Sequence, residues 1–100
     1  MAALGKPLYA ANCVVCHGAT GHGDGPAAKS LPVTPYDLTV HVPQHDEAFL
    51  KAVIADGWGS MPAFKNKLTE DQIYQVIAYA RLLAAQAQSG TSQPTPTPRP

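Results

Sequence analysis

Apolar positions along this chain recur at helical spacing. Ile73, Val76, Ile77, Ala80 and Leu83 fall at i, i+3, i+4, i+7 and i+10, which is one face of an α-helix. The stripe predicts a long helix over 69–88, with Tyr79 beside it. Thr69-Glu70-Asp71-Gln72 opens it as a capping box, in which the two end residues satisfy each other's amides. A second stripe, Phe49, Leu50, Val53 and Ile54, predicts a helix over 46–55. Asp46 is its N-cap and Gly57 its stop. A first helix begins at Ala2 or Pro7 and runs to about Cys13. In it Gly5 and Tyr9 stand four apart and share a face, and a glycine there permits close approach of another helix.

Between the first and second of these helices the chain is rich in turn formers: Gly18, Gly21, Gly23, Gly25, Pro26, Pro32 and Pro35. Residues 26–31 make one short helix with Pro26 in its first turn. The rest is a loop long enough to wrap something. Residues 58–64 read as extended, because Pro62 turns Met61 away from helix. The pattern therefore gives an all-α domain over 1–88. Residues 89–100, rich in Pro and Thr, read as a disordered tail or linker with polyproline character.

Composition narrows the field. One hundred residues allow one domain. Seven basic and seven acidic side chains cancel, and no like-charge run offers a nucleic acid its phosphate contacts. No apolar run is long enough to span a bilayer. The first residues lack the apolar core of a signal peptide, so the chain is expected to be a mature form or an excised domain with a start Met.

The chemistry concentrates in Cys13-Val14-Val15-Cys16-His17. Two thiols three apart, followed at once by an imidazole, is the attachment pattern of c-type haem. Each sulfur adds to one vinyl group, and the adjacent His17 can supply the proximal iron ligand. A one-turn helix presents all three groups to one edge of a flat ring. A thioredoxin-type dithiol expects a βαβ context, and no strand pattern flanks this motif. A disulfide here would close too short a loop to stabilise much. A zinc site stays open by count, because His41 and His45 could join the two cysteines. Yet roughly twenty-five residues separate Cys16 from His41, against about a dozen in zinc fingers.

Together these motifs resemble class I monohaem cytochromes c. The residues that carry the resemblance are C-V-V-C-H at 13–17, G-H-G-D-G-P-A-A-K-S-L-P-V-T-P-Y-D-L-T at 21–39, M-P-A-F at 61–64 and I-A-Y-A-R-L-L at 77–83. The match covers about residues 3–85. It implies a cytochrome c fold, with three main helices and loops wrapped around one haem c attached through Cys13 and Cys16. It implies His17 as proximal ligand and Met61 as distal ligand. It implies that the Pro26 carbonyl accepts a hydrogen bond from the His17 imidazole, in the manner of outer-shell partners. It also implies a near-perpendicular crossing of the terminal helices, with Gly5 and Tyr9 against Val76, Tyr79 and Leu83.

Other residues enter with more than one reading. The rival distal ligands are His22, His41 and His45, each otherwise a solvated loop histidine. Met61 could instead fill core. Trp58 could donate its indole N–H to a haem propionate or pack on the ring. Tyr36 and Asn66 are further polar candidates, and Lys65 and Lys67 could steer an acidic partner. The function implied is one-electron transfer through a low-spin His/Met haem, as a carrier or as a domain of a respiratory complex. The chain itself is then not an enzyme. Its partners are a redox donor and acceptor, it is a monomer, and it is periplasmic or otherwise extracytoplasmic, either free or tethered to a membrane complex. The alternatives are a haem enzyme or gas sensor with a labile sixth ligand, and a haem-free metal or dithiol protein.

Overall fold

A computed structural model describes residues 2–32, 35–59 and 61–89. The described part is helical: α1 (Ala2–Asn12), α2 (Val14–His17), α3 (Leu38–His41), α4 (Glu47–Asp56) and α5 (Glu70–Ser89). Short 3-10 turns lie at Ala28–Ser30 and Val42–Gln44. The three long helices are those the sequence predicts, α4 and α5 from their apolar stripes and α1 from the shared face of Gly5 and Tyr9. Except for Ser89, the last residue of α5, the predicted tail lies outside the described residues.

The caps form as the sequence implies. The Thr69 amide donates to Gln72 Oε1 at 2.9 Å, and the Gln72 amide donates to Thr69 Oγ1 at 3.1 Å. Asp46 Oδ1 accepts from the Phe49 amide at 2.9 Å. The Gly57 amide closes α4 by donating to the Val53 carbonyl at 2.8 Å. α1 starts at Ala2 rather than Pro7. Pro7 lies inside the helix on an exposed position, where water can satisfy the carbonyl that a missing N–H leaves free.

The core forms where α1 lies across α5. Tyr9, Phe64, Leu68, Ile73, Val76, Ile77 and Leu83 make one buried cluster. Each such aliphatic side chain stabilises the fold by roughly 1.5–3 kcal/mol. Gly5 sits so close to the Gln75 carbonyl that a Cβ would overlap it. Four residues on, the Tyr9 ring meets Tyr79 at 5.3 Å between centroids, tilted by 54°. A helix–helix approach this near needs a residue with no side chain, which explains the Gly5/Tyr9 pair.

Two parts depart from the sequence reading. α3 was not predicted. It begins at Asp37, whose Oδ1 accepts from the Thr39 amide at 3.0 Å and from Thr39 Oγ1 at 2.6 Å. Its single turn is too short to show a periodic stripe. Arg81 of α5 then holds the following 3-10 turn, donating to the Val42 and His45 carbonyls at 3.2 and 3.0 Å. The segment after α4 is not extended at its start. Trp58 and Met61 pair across a tight reversal through two backbone bonds of 3.1 and 2.9 Å. The expected short helix at 26–31 shrinks to the 3-10 turn at Ala28–Ser30, with Pro26 just before it.

Candidate functional site

α2 is four residues long and cannot hold itself together, since a helix this short never repays its nucleation. The loop behind it supplies the missing bonds. Ala27, Gly25 and Gly23 donate their amides to the carbonyls of Val15, Cys16 and His17 at 2.8, 3.0 and 2.8 Å. The carbonyls that a helix C-terminus leaves orphaned are thus taken in order by a chain folding back along it. Gly25 comes close enough to the Val14 and Val15 carbonyls that a Cβ would overlap both. The run of glycines after the cysteine motif is therefore the counterpart of α2.

Cys13 and Cys16 are free thiols and partly buried. Burial, and then the neighbouring Cys16, push the Cys13 thiol up to about 12. A redox dithiol or a zinc thiolate needs the opposite shift. Among the described residues, no three of His, Cys, Asp and Glu converge as a metal site would require. Burial also lowers His17 below the ordinary imidazole range, although a contact with the Tyr36 carbonyl works against this. A neutral imidazole is the form that binds metal.

That contact differs from the expectation for Pro26. His17 Nδ1 lies 3.4 Å from the Tyr36 carbonyl, a long and weak bond. Pro26 is exposed. The reason is that residues 35–38 are drawn in beside 21–23. The Leu38 amide donates to the Gly21 carbonyl at 2.6 Å, and His22 Nδ1 pairs with Asp37 Oδ2 at 3.2 Å.

Met61 is half-buried and packs against the same core cluster as Cys13. Its loop is pinned at both ends. The Trp58 pairing holds one end, and the amides of Phe64 and Lys65 hold the other by donating to Ile54 and Ala55 at 2.9 and 3.2 Å. The three rival histidines are each engaged elsewhere. His22 pairs with Asp37. His41 stacks on Tyr36 at 4.3 Å, and His45 stacks on Phe49 at 4.2 Å. Trp58 is 58% exposed and tilts against Phe49 at 6.3 Å. Asn66 is exposed. Lys65 approaches Asp56 at 3.8 Å, and Lys67 lies over the Phe64 ring.

These residues fit a large apolar group bearing a metal. The donor set is two thiols, an imidazole and a thioether. α4 carries an apolar stripe, yet none of its residues is fully buried, and the same holds for α2. Tyr36, Val40, Phe49 and Trp58 are all exposed, more apolar surface than scattered single side chains explain.

An all-α fold with a C-x-x-C-H turn tied into a glycine loop defines a monohaem c-type cytochrome. Residues 1–79 match the family described as cytochrome c oxidase, cbb3-type, subunit III, and the chain belongs to that family. It is 41% identical over 78 residues to cytochrome c6 of Leptolyngbya boryana, covering 78% of this chain and 87% of that protein. Among solved structures it resembles a chain of the Kuenenia stuttgartiensis reducing HAO-like protein complex Kustc0457/Kustc0458. There the TM-score is 0.71 and the identity 26%, over 82% of this chain and 43% of that one. It also shares its fold with the KustC0563 c-type cytochrome, at TM-score 0.67 and 22% identity, over 79% of this chain and 95% of that one. The protein carries covalent haem c and transfers electrons.

Proposed function

We propose that His17 and Met61 are the side chains that would hold the haem iron, and that the chain is an electron carrier or carrier domain rather than an enzyme. Haem c supplies one-electron exchange between Fe(III) and Fe(II) when bound. With His17 and Met61 both on the iron, a substrate could reach it only by displacing one of these side chains. The soft thioether of Met61 favours the reduced state and raises the potential. Cys13 and Cys16 would hold the group covalently, with Cys13 itself packed on the core cluster.

The observation that carries this reading is the placement of Met61. It sits on the cluster that Cys13 also joins, in a loop held at both ends, while His22, His41 and His45 all have other partners. Trp58 and Phe49 form an apolar rim beside the Met61 loop, through which a docked redox protein would exchange electrons. Pro26 shapes the loop behind α2. Residues 1–88 form the folded domain, a monomer, and the site works outside the cytoplasm, where c-type haem proteins reside. No helix among the described residues is long and apolar enough to cross a membrane.

A redox-resolved visible spectrum with intact mass tests the assignment. One haem added to the polypeptide mass and a ferric thioether band are expected. Met61→Ala should lose that band and lower the potential by on the order of a hundred millivolts, a fraction of the ~0.8 V that axial ligands span. A variant with the parent's spectrum and potential would remove Met61 from the ligand set.

A further inference from the structure

We propose that Tyr9 is a positioning residue for the electron-transfer site, clamping the haem-attachment turn at both of its ends. This rests on His17 being the proximal ligand.

The main chain and the side chain of Tyr9 act on opposite ends of the same segment. The Tyr9 carbonyl accepts from the amide of Cys13, just before α2, at 2.8 Å. The Tyr9 hydroxyl donates to the carbonyl of Gly18, just after α2, at 2.6 Å. Cys13, Cys16 and His17 all lie between these two bonds. The Gly18 carbonyl also accepts from the Gly21 amide, at a longer 3.2 Å. Val15, Cys16 and His17 give their carbonyls to the glycine loop, so Gly18 carries the bond that reaches out of the loop to a long helix.

Packing alone does not require the hydroxyl. The Tyr9 ring is 2% exposed and lies against Tyr79, and an apolar ring would fill that space. A buried hydroxyl is costly unless partnered, and here the partner is the peptide next to the proximal ligand. Burial pushes the phenol above its usual range, with Cys13, Tyr79 and Asp24 adding to the effect. At neutral pH the phenol holds its proton and can donate. A four-residue helix has little stiffness of its own. With both ends held, His17 keeps its place as the charge at the site changes, which keeps reorganisation small.

The test compares holoprotein Tyr9→Phe with the parent, with Tyr79→Leu as a control that loosens the same crossing without touching Gly18. Tyr9→Phe should speed amide exchange at Gly21, Gly23 and Gly25 about tenfold, as loss of one buried hydrogen bond would. Amides of central α5 should exchange as in the parent. The reduction potential should shift and electron self-exchange should slow, while Tyr79→Leu leaves both as in the parent. The proposal is overturned by parent-like exchange in Tyr9→Phe, by a rise spread evenly over every helix, or by a loosened loop with unchanged potential and self-exchange rate. An equal effect from Tyr79→Leu would do the same, since the crossing and not the phenol would then be responsible. Failure of the ligand assignment appears instead in the parent's own spectrum, so the two are separable.

Discussion

At residue scale, tolerances are tightest where backbone meets backbone. Gly25 against the Val14 and Val15 carbonyls, and Gly5 against the Gln75 carbonyl, leave no room for a methyl group. Charge matters at Asp37. Partial burial raises its carboxyl, but the bonds from Thr39 and His22 outweigh this and hold it below the usual carboxylate range. A depressed carboxyl stabilises the fold above its unfolded-state pKa, and that contribution is lost as pH falls through the lower native value. Asp37→Asn should therefore flatten the acid side of the stability profile. The urea midpoint of the variant should drop less than the parent's between neutral pH and about pH 3. An equal drop in both would show that Asp37 contributes nothing to acid sensitivity.

At the scale of elements, α3, α4 and α5 are started by their caps, and α2 is held by its surroundings. Asp46 satisfies the first turn of α4 alone, and α4 has no fully buried residue to compensate for its loss. Asp46→Ala should cost about 1 kcal/mol, or roughly 4–8 °C in Tm for a domain of this size. Calorimetry of parent and variant checks this, and an unchanged Tm would mean that packing holds α4 without its cap. α4 is also tied to α5 by Lys51, which pairs with Glu70 at 2.6 Å and lies over the Tyr74 ring. That pair is exposed, and exposed pairs contribute little.

At the scale of the molecule, the core is lopsided. The α1–α5 crossing buries Tyr9, Ile73, Val76 and Ile77 almost completely, while the α4 side keeps its apolar stripe near the surface. The haem-free chain, prepared as Cys13→Ala/Cys16→Ala, should therefore protect amides of α1 and α5 while those of α4 exchange quickly. In the mature protein α4 should gain protection. Hydrogen exchange on both forms checks this, and equal protection of α4 in the two would place the haem's stabilising contacts elsewhere.

The sequence by itself determined the three long helices, the caps of α4 and α5, the glycine that a close helix crossing needs and the C-x-x-C-H attachment chemistry. Each is local, set by a repeat, a cap residue or a fixed spacing that neighbouring side chains enforce. Only the tertiary structure decided that Tyr36 rather than Pro26 presents its carbonyl to His17, that Asp37 starts α3, and that Trp58 folds back on Met61. It alone brought the Tyr9 hydroxyl to Gly18. The His17 and Tyr9 contacts depend on which segment lies beside which, and no periodicity records that; the Asp37 cap and the Trp58 reversal are local, but each is too short to leave a repeat.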